Sequence, residues 1–155
     1  MERRSGNSEV VRQITRFAGP GGFVEREMRG NLSTPAFSAV LLQLAALLGE
    51  RFLAHIHASS FSEWGALLLH EEALATVRVL EESAEATQGS VRAPLLPLLW
   101  ALKLLSVGQL ADIRHYTVPA GVLDEAAARA VLGRRADFSA EAVGRCRLKM
   151  EGATA

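Results

Sequence analysis

Residues 35–57 read PAFSAVLLQLAALLGERFLAHIH, and this stretch decides the fold class. Leu41, Leu44, Leu48, Phe52 and Ile56 recur at steps of three and four, which lines one apolar stripe along a helix of about five to six turns. Pro35 suits the first turn of that helix, where no amide donor is needed. Leu and Ala dominate the apolar set and aromatics make up only 6 % of the chain. Such usage favours helices over the Val-, Ile-, Thr- and Tyr-rich composition of sheets, so an all-α fold is expected.

Working outward toward the C-terminus, Ser60-Phe61-Ser62-Glu63 fits a capping box, with Ser60 as the cap of a second long helix. Its first half presents Phe61, Trp64, Leu67 and Leu68, and its second half presents Leu74, Val77 and Leu80 on a rotated face. Thr87-Gln88-Gly89-Ser90 ends it, with Gly89 as the residue past the helix end. Residues 91–105 are almost continuously apolar and predict a third helix buried on most sides. Pro94 is tolerable in a first turn, whereas Pro97 would remove a ladder amide and collide with the preceding turn. The helix therefore starts near Pro94 or kinks. Three short helices are expected near residues 108–116, 122–132 and 140–147, the last capped by Ser139, with Phe138 and Val143 spaced as a hydrophobic staple. The segment Thr117 to Gly121 reads as a connection.

Working outward toward the N-terminus, residues 1–34 read as a flexible segment. Gly19-Pro20-Gly21-Gly22 and Gly30-Asn31 punctuate it, and its single helix candidate spans roughly residues 8–17. Residues 35–148 then form one helical bundle and residues 149–155 a frayed tail. A chain of 155 residues with 49 % apolar content can bury one substantial core. Its 17 basic and 17 acidic residues cancel, which argues against nucleic acid as a partner. The lone Cys146 cannot form an internal disulfide and fits a reducing, cytoplasmic setting. Met1-Glu2-Arg3-Arg4-Ser5-Gly6 is polar where a secretory signal is apolar. Gln43, Glu50 and Arg51 interrupt the first helix, so no transmembrane segment is expected and any membrane association is peripheral.

Candidate chemistry is sparse, and no catalytic, cofactor-binding or metal-binding residue is assigned. Cys146 lies between Arg145 and Arg147, which would lower a thiol pKa, but an ordinary helical cysteine is the preferred reading. His55 and His57, two apart on a helix, face nearly opposite ways and cannot chelate one ion. His70-Glu71-Glu72 begins like a zincin motif, yet Leu74 stands where the second histidine belongs. His115 beside Tyr116 has no partner beyond a helix end. Glu71-Glu72 and Glu81-Glu82 read as solvated helix faces rather than a catalytic carboxylate pair. The Gly-Pro-Gly-Gly loop lacks the lysine of a phosphate cradle, and Arg134-Arg135 is too small a basic spot for a nucleic-acid footprint.

Phe61-Ser62-Glu63-Trp64-Gly65-Ala66-Leu67-Leu68-Leu69, followed by Glu72 and Arg78, together with Val131 to Ser139 and the basic-Leu ending Arg145 to Leu148, resembles the C-terminal region of subunit 4 of the conserved oligomeric Golgi complex. The resemblance runs collinearly from about Pro35 to Leu148, with Leu105 to Tyr116 matching the penultimate segment; Pro97 departs from the family pattern, and residues 1–34 have no counterpart. It implies a helical bundle of the multisubunit-tethering-complex type, the end of a helical rod. The implied role is non-enzymatic: vesicle tethering in intra-Golgi retrograde transport, on the cytosolic face of the Golgi membrane. Its implied partners are other subunits of the tethering complex and membrane-fusion proteins, with no cofactor. The family's subunits are several times longer, so a fragment, a truncated product or a reduced relative is implied.

Within this reading Phe61, Trp64, Gly65, Arg135, Asp137, Phe138 and Leu148 are structural residues. Asp137 caps a short helix or pairs with Arg135, and Phe138 anchors the turn. Two other readings stand beside it. A generic α-helical adaptor would show a regular two-helix repeat, and a small helical hydrolase would show a pocket gathering Cys146 with His115 or a glutamate.

Overall fold

A computed structural model of the protein describes residues 16, 22–28, 30–85 and 90–151. Most of the helix expected over residues 8–17, most of the Gly-Pro-Gly-Gly loop, the break at Gly89 and the last four residues lie outside the described residues. The all-α expectation holds: seven helical segments are described, and the only strands among the described residues are one two-residue pair.

Helix α1 spans Thr34–Ala58, α2 Glu63–Glu85 and α3 Arg92–Leu105. A π-helical turn at Val24–Met28 precedes them, and the Asn31 side chain donates to the Glu27 carbonyl at 2.6 Å just before α1. After α3 come a 3-10 turn at Leu110–His115, strand β1 at Thr117–Val118, helix α4 at Glu125–Leu132, helix α5 at Ala140–Arg145 and strand β2 at Lys149–Met150.

The chain divides into two compact units, Met1–Gly49 with Glu71–Leu95, and Glu50–His70 with Leu96–Ala155. In the first, Phe37, Leu41 and Ala45 on α1, Ala73, Val77, Leu80 and Ala84 on α2, Val91 just before α3 and Leu95 on it are buried. The α1 and α3 backbones pass closely, since a Cβ on Gly49 would come within 3.3 Å of the Pro94 carbonyl oxygen. Two buried hydroxyls are satisfied along α2 itself: Thr76 donates to the Glu72 carbonyl at 3.1 Å and Ser83 to Val79 at 3.0 Å. In the second unit, Ile56, Ala66, Leu69, Leu98, Leu102, Leu104, Leu105, Ile113, Val131 and Leu132 are buried, and one charged side chain, Arg135, joins them.

Several expectations are corrected. The α2 cap is Ser62, not Ser60: its Oγ accepts from the Gly65 amide at 3.2 Å, and the helix opens at Glu63. Phe61 is occupied by a parallel backbone bridge to Arg135, its amide donating to the Arg134 carbonyl at 2.7 Å and its carbonyl accepting from the Ala136 amide at 2.8 Å. The buried stripe of α2 does not rotate. It runs straight through Ala66, Leu69, Ala73, Val77, Leu80 and Ala84, while Trp64, Leu67 and Leu68 face outward.

Helix α3 begins at Arg92 and carries Pro97 inside it, so the start near Pro94 is not adopted. The connection after the 3-10 turn contains β1, and the segment expected as a frayed tail contains β2. They pair in parallel, Thr117 with Lys149 and Val118 with Met150, and the Glu151 amide extends the ladder by donating to the Val118 carbonyl at 2.8 Å. Gly121, at φ +75°, supplies the left-handed step between β1 and α4. Ser139 caps α5 as expected, accepting from the Ala142 amide at 3.2 Å, and Asp124 caps α4 at 2.6 Å from the Ala127 amide.

Length and mean hydropathy, 1.5 over its most apolar window, would allow α1 to cross a membrane. A helix that buries Phe37, Leu41, Ala45 and Ile56 inside a protein has the same composition.

Candidate functional site

Two features of the second unit stand out, a polar lock within the core and an apolar face outside it. The lock is centred on Arg135, which is 1 % exposed. Its Nη1 donates to the carbonyls of Leu105, the last residue of α3, at 2.8 Å and of Val107, two residues past the helix end, at 2.7 Å. Its Nε and Nη2 donate to the two oxygens of Asp137, each at 2.8 Å, a bidentate pairing with the geometry a guanidinium favours. Of the two roles open to Asp137, this geometry takes the pairing.

The Phe138 ring lies 4.4 Å from the guanidinium carbon, a cation–π contact on the remaining face. Burial of the charge is thereby compensated on all sides by hydrogen bonds, a counter-charge and a ring. The Arg135 hydrogen bonds hold the Asp137 carboxyl below the usual aspartate value, against partial desolvation, which acts the other way.

Phe61 forms the backbone bridge to Arg135, Gly65 lies beside its ring, and His55 meets that ring edge-on at 5.9 Å between centroids. Leu148 is half-buried between α5 and β2. Trp64 is the residue that departs from its expected place. It is 75 % exposed, with Leu67 at 37 % and Leu68 at 52 %, so one outer stripe of α2 is apolar at the first three positions of the i, i+3, i+4 pattern. Glu71, one turn on, is exposed.

The remaining candidates do not converge. Cys146 is half-buried and donates to the Val143 carbonyl at 3.1 Å; the arginine near its sulfur is Arg129, at 3.9 Å, and not a sequence neighbour. Arg129 reaches across from α4, donates to the Val143 and Gly144 carbonyls at 2.7 and 3.0 Å, closing the end of α5, and pairs with Glu125. His70 Nδ1 lies 2.8 Å from the Ser106 hydroxyl, which itself donates to the Leu102 carbonyl. His55 contacts Ser59 at 3.5 Å.

Sequence reasoning missed one further arrangement. Lys103 Nζ lies 4.4 Å from the centre of the Trp100 ring and 4.9 Å from that of Tyr116, with both rings half-exposed. The three-residue step from Trp100 to Lys103 was visible, but Tyr116 reaches the same ammonium only through the fold. Arg114 and His115 follow on the 3-10 turn, exposed, with Arg114 Nε donating to His115 Nε2 at 3.2 Å.

Fold and site together describe a helical protein with a fastened core and an exposed apolar stripe on α2. Comparison with protein-family models, curated proteins and solved structures gives no match in any of the three.

Proposed function

We propose that this chain is a non-enzymatic protein-interaction domain of a Golgi vesicle-tethering complex, of the kind found at the C-terminal end of subunit 4 of the conserved oligomeric Golgi complex. The observation that carries the interaction reading is Trp64, a large aromatic left 75 % exposed beside Leu67 and Leu68. Exposed aromatics on a helix, supported by a well-packed body, are the usual anchors of protein–protein contacts. The collinear resemblance from Pro35 to Leu148 points the interaction toward tethering subunits, acting on the cytosolic face of the Golgi during retrograde transport. The backbone bridge between Phe61 and Arg135 supports that reading, because it joins two of the segments that carry the resemblance.

The test is co-purification of the tagged chain from cells of its own source, with bound proteins identified by mass spectrometry. Golgi tethering subunits or Golgi fusion proteins are expected with the native chain and are expected to be lost with Trp64→Asp or Leu68→Asp. A folded chain that recovers none of them overturns the tethering assignment.

A further inference from the structure

We propose that Trp100, Lys103 and Tyr116 form a docking surface for an acidic peptide segment of another protein. Lys103 is exposed, yet its ammonium is held between two ring faces at 4.4 and 4.9 Å. Most surface lysines must be ordered before they can pair with a partner, and that ordering opposes binding. Here the rings have already ordered the charge, through attraction that leaves its outward side to solvent. A partner carboxylate that meets Lys103 therefore meets a preset donor, and the half-exposed rings give its methylene groups a flat apolar seat.

Charge complementarity selects the occupant. From residue 96 to residue 118 the chain carries Lys103 and Arg114 against a single acid, Asp112, an excess of one positive charge. Arg114 Nε donates to His115 Nε2 at 3.2 Å, a contact that orients the guanidinium. An anionic bilayer is a poor fit, since polybasic membrane sites gather about four to eight Lys or Arg residues. Nucleic acid is a poor fit for the same reason. A short acidic peptide needs only one or two fixed cations and a ring to lie on.

This surface is independent of the tethering assignment, because a chain that recovers no tethering subunit can still bind the peptide. The test uses the full chain carrying Trp64→Phe, which leaves Trp100 as the only tryptophan, since the sequence has two. A capped hexaglutamate peptide is titrated at low salt while Trp100 fluorescence is followed. A saturable change is expected, weakening as salt rises. Lys103→Glu should lower the affinity by about ten-fold or more and Lys103→Arg by less than about three-fold, both with unchanged circular dichroism. No saturable change, or equal affinity in Lys103→Glu, overturns the proposal. A stronger response to phosphatidylserine vesicles or to oligothymidylate also overturns it and reassigns the surface.

Discussion

Arg135 grips both carboxylate oxygens of Asp137 at 2.8 Å, although Arg135 is buried and the Asp137 side chain is 44 % exposed. The pair thus joins core to solvent, and its strength depends on pH. The folded state holds the Asp137 carboxyl below its ordinary value of 3.8, chiefly through the Arg135 hydrogen bonds. A depressed aspartate contributes stability that is full above about pH 4 and is lost as pH falls through the folded value. Asp137→Asn should therefore be less stable than the native chain at neutral pH. Denaturant titrations at several pH values should show the difference shrinking below about pH 4.

Arg135 itself should matter more than its partner. Its removal leaves the carbonyls of Leu105 and Val107 without a donor in the core. Orphaning buried acceptors costs about 1–3 kcal/mol each, so with two of them Arg135→Met should lose about 2–6 kcal/mol in urea unfolding. Arg135→Lys should recover only part of this, because an ammonium cannot reproduce the fork that serves carbonyls and carboxylate together.

Phe138→Ala should lower the melting temperature, by an amount equivalent to about 1 kcal/mol or more, through loss of the cation–π contact and of half-buried ring area. An unchanged melt would remove Phe138 from the lock.

Trp64→Ala should leave the melt within about 0.5 kcal/mol of the native chain, since an exposed side chain away from such features contributes little to folding. Capture of a binding partner is the readout that should change. A large drop in stability would mean that Trp64 packs in the folded chain.

At the start of α2, Ser62→Ala should cost about 1 kcal/mol and Ser60→Ala close to nothing. The reverse order would restore the capping box centred on Ser60.

The helices were legible because apolar spacing, prolines and caps are local signals, and Pro35 and Ser139 mark real helix starts. What was hidden depends on distant partners. Weighting large side chains suggested a rotating face on α2, but alanines at 66, 73 and 84 carry half of its buried stripe and leave Trp64 outside. The cap shifted to Ser62 because the Phe61 backbone is engaged by Arg134 and Ala136, far along the chain. The strands were missed because two-residue segments have no periodicity to detect; Val118 meets Met150 only in the folded chain. For the lock, Asp137 was foreseeable as a neighbour of Arg135, whereas the Leu105 and Val107 carbonyls belong to the main chain and no side-chain pattern announces them.

The distance along the chain between Arg135 and its two carbonyls, 30 and 28 residues, also sets an order of events during synthesis. As α3 leaves the ribosome, its last turn has only water to satisfy those oxygens, and the strand position at Phe61 has no neighbour. Both vacancies close when the segment around Arg135 emerges. Without that segment both carbonyls lack their donor and Phe61 lacks its bridge partner. Closure of the second unit's core therefore waits on contacts made across about 30 residues of chain.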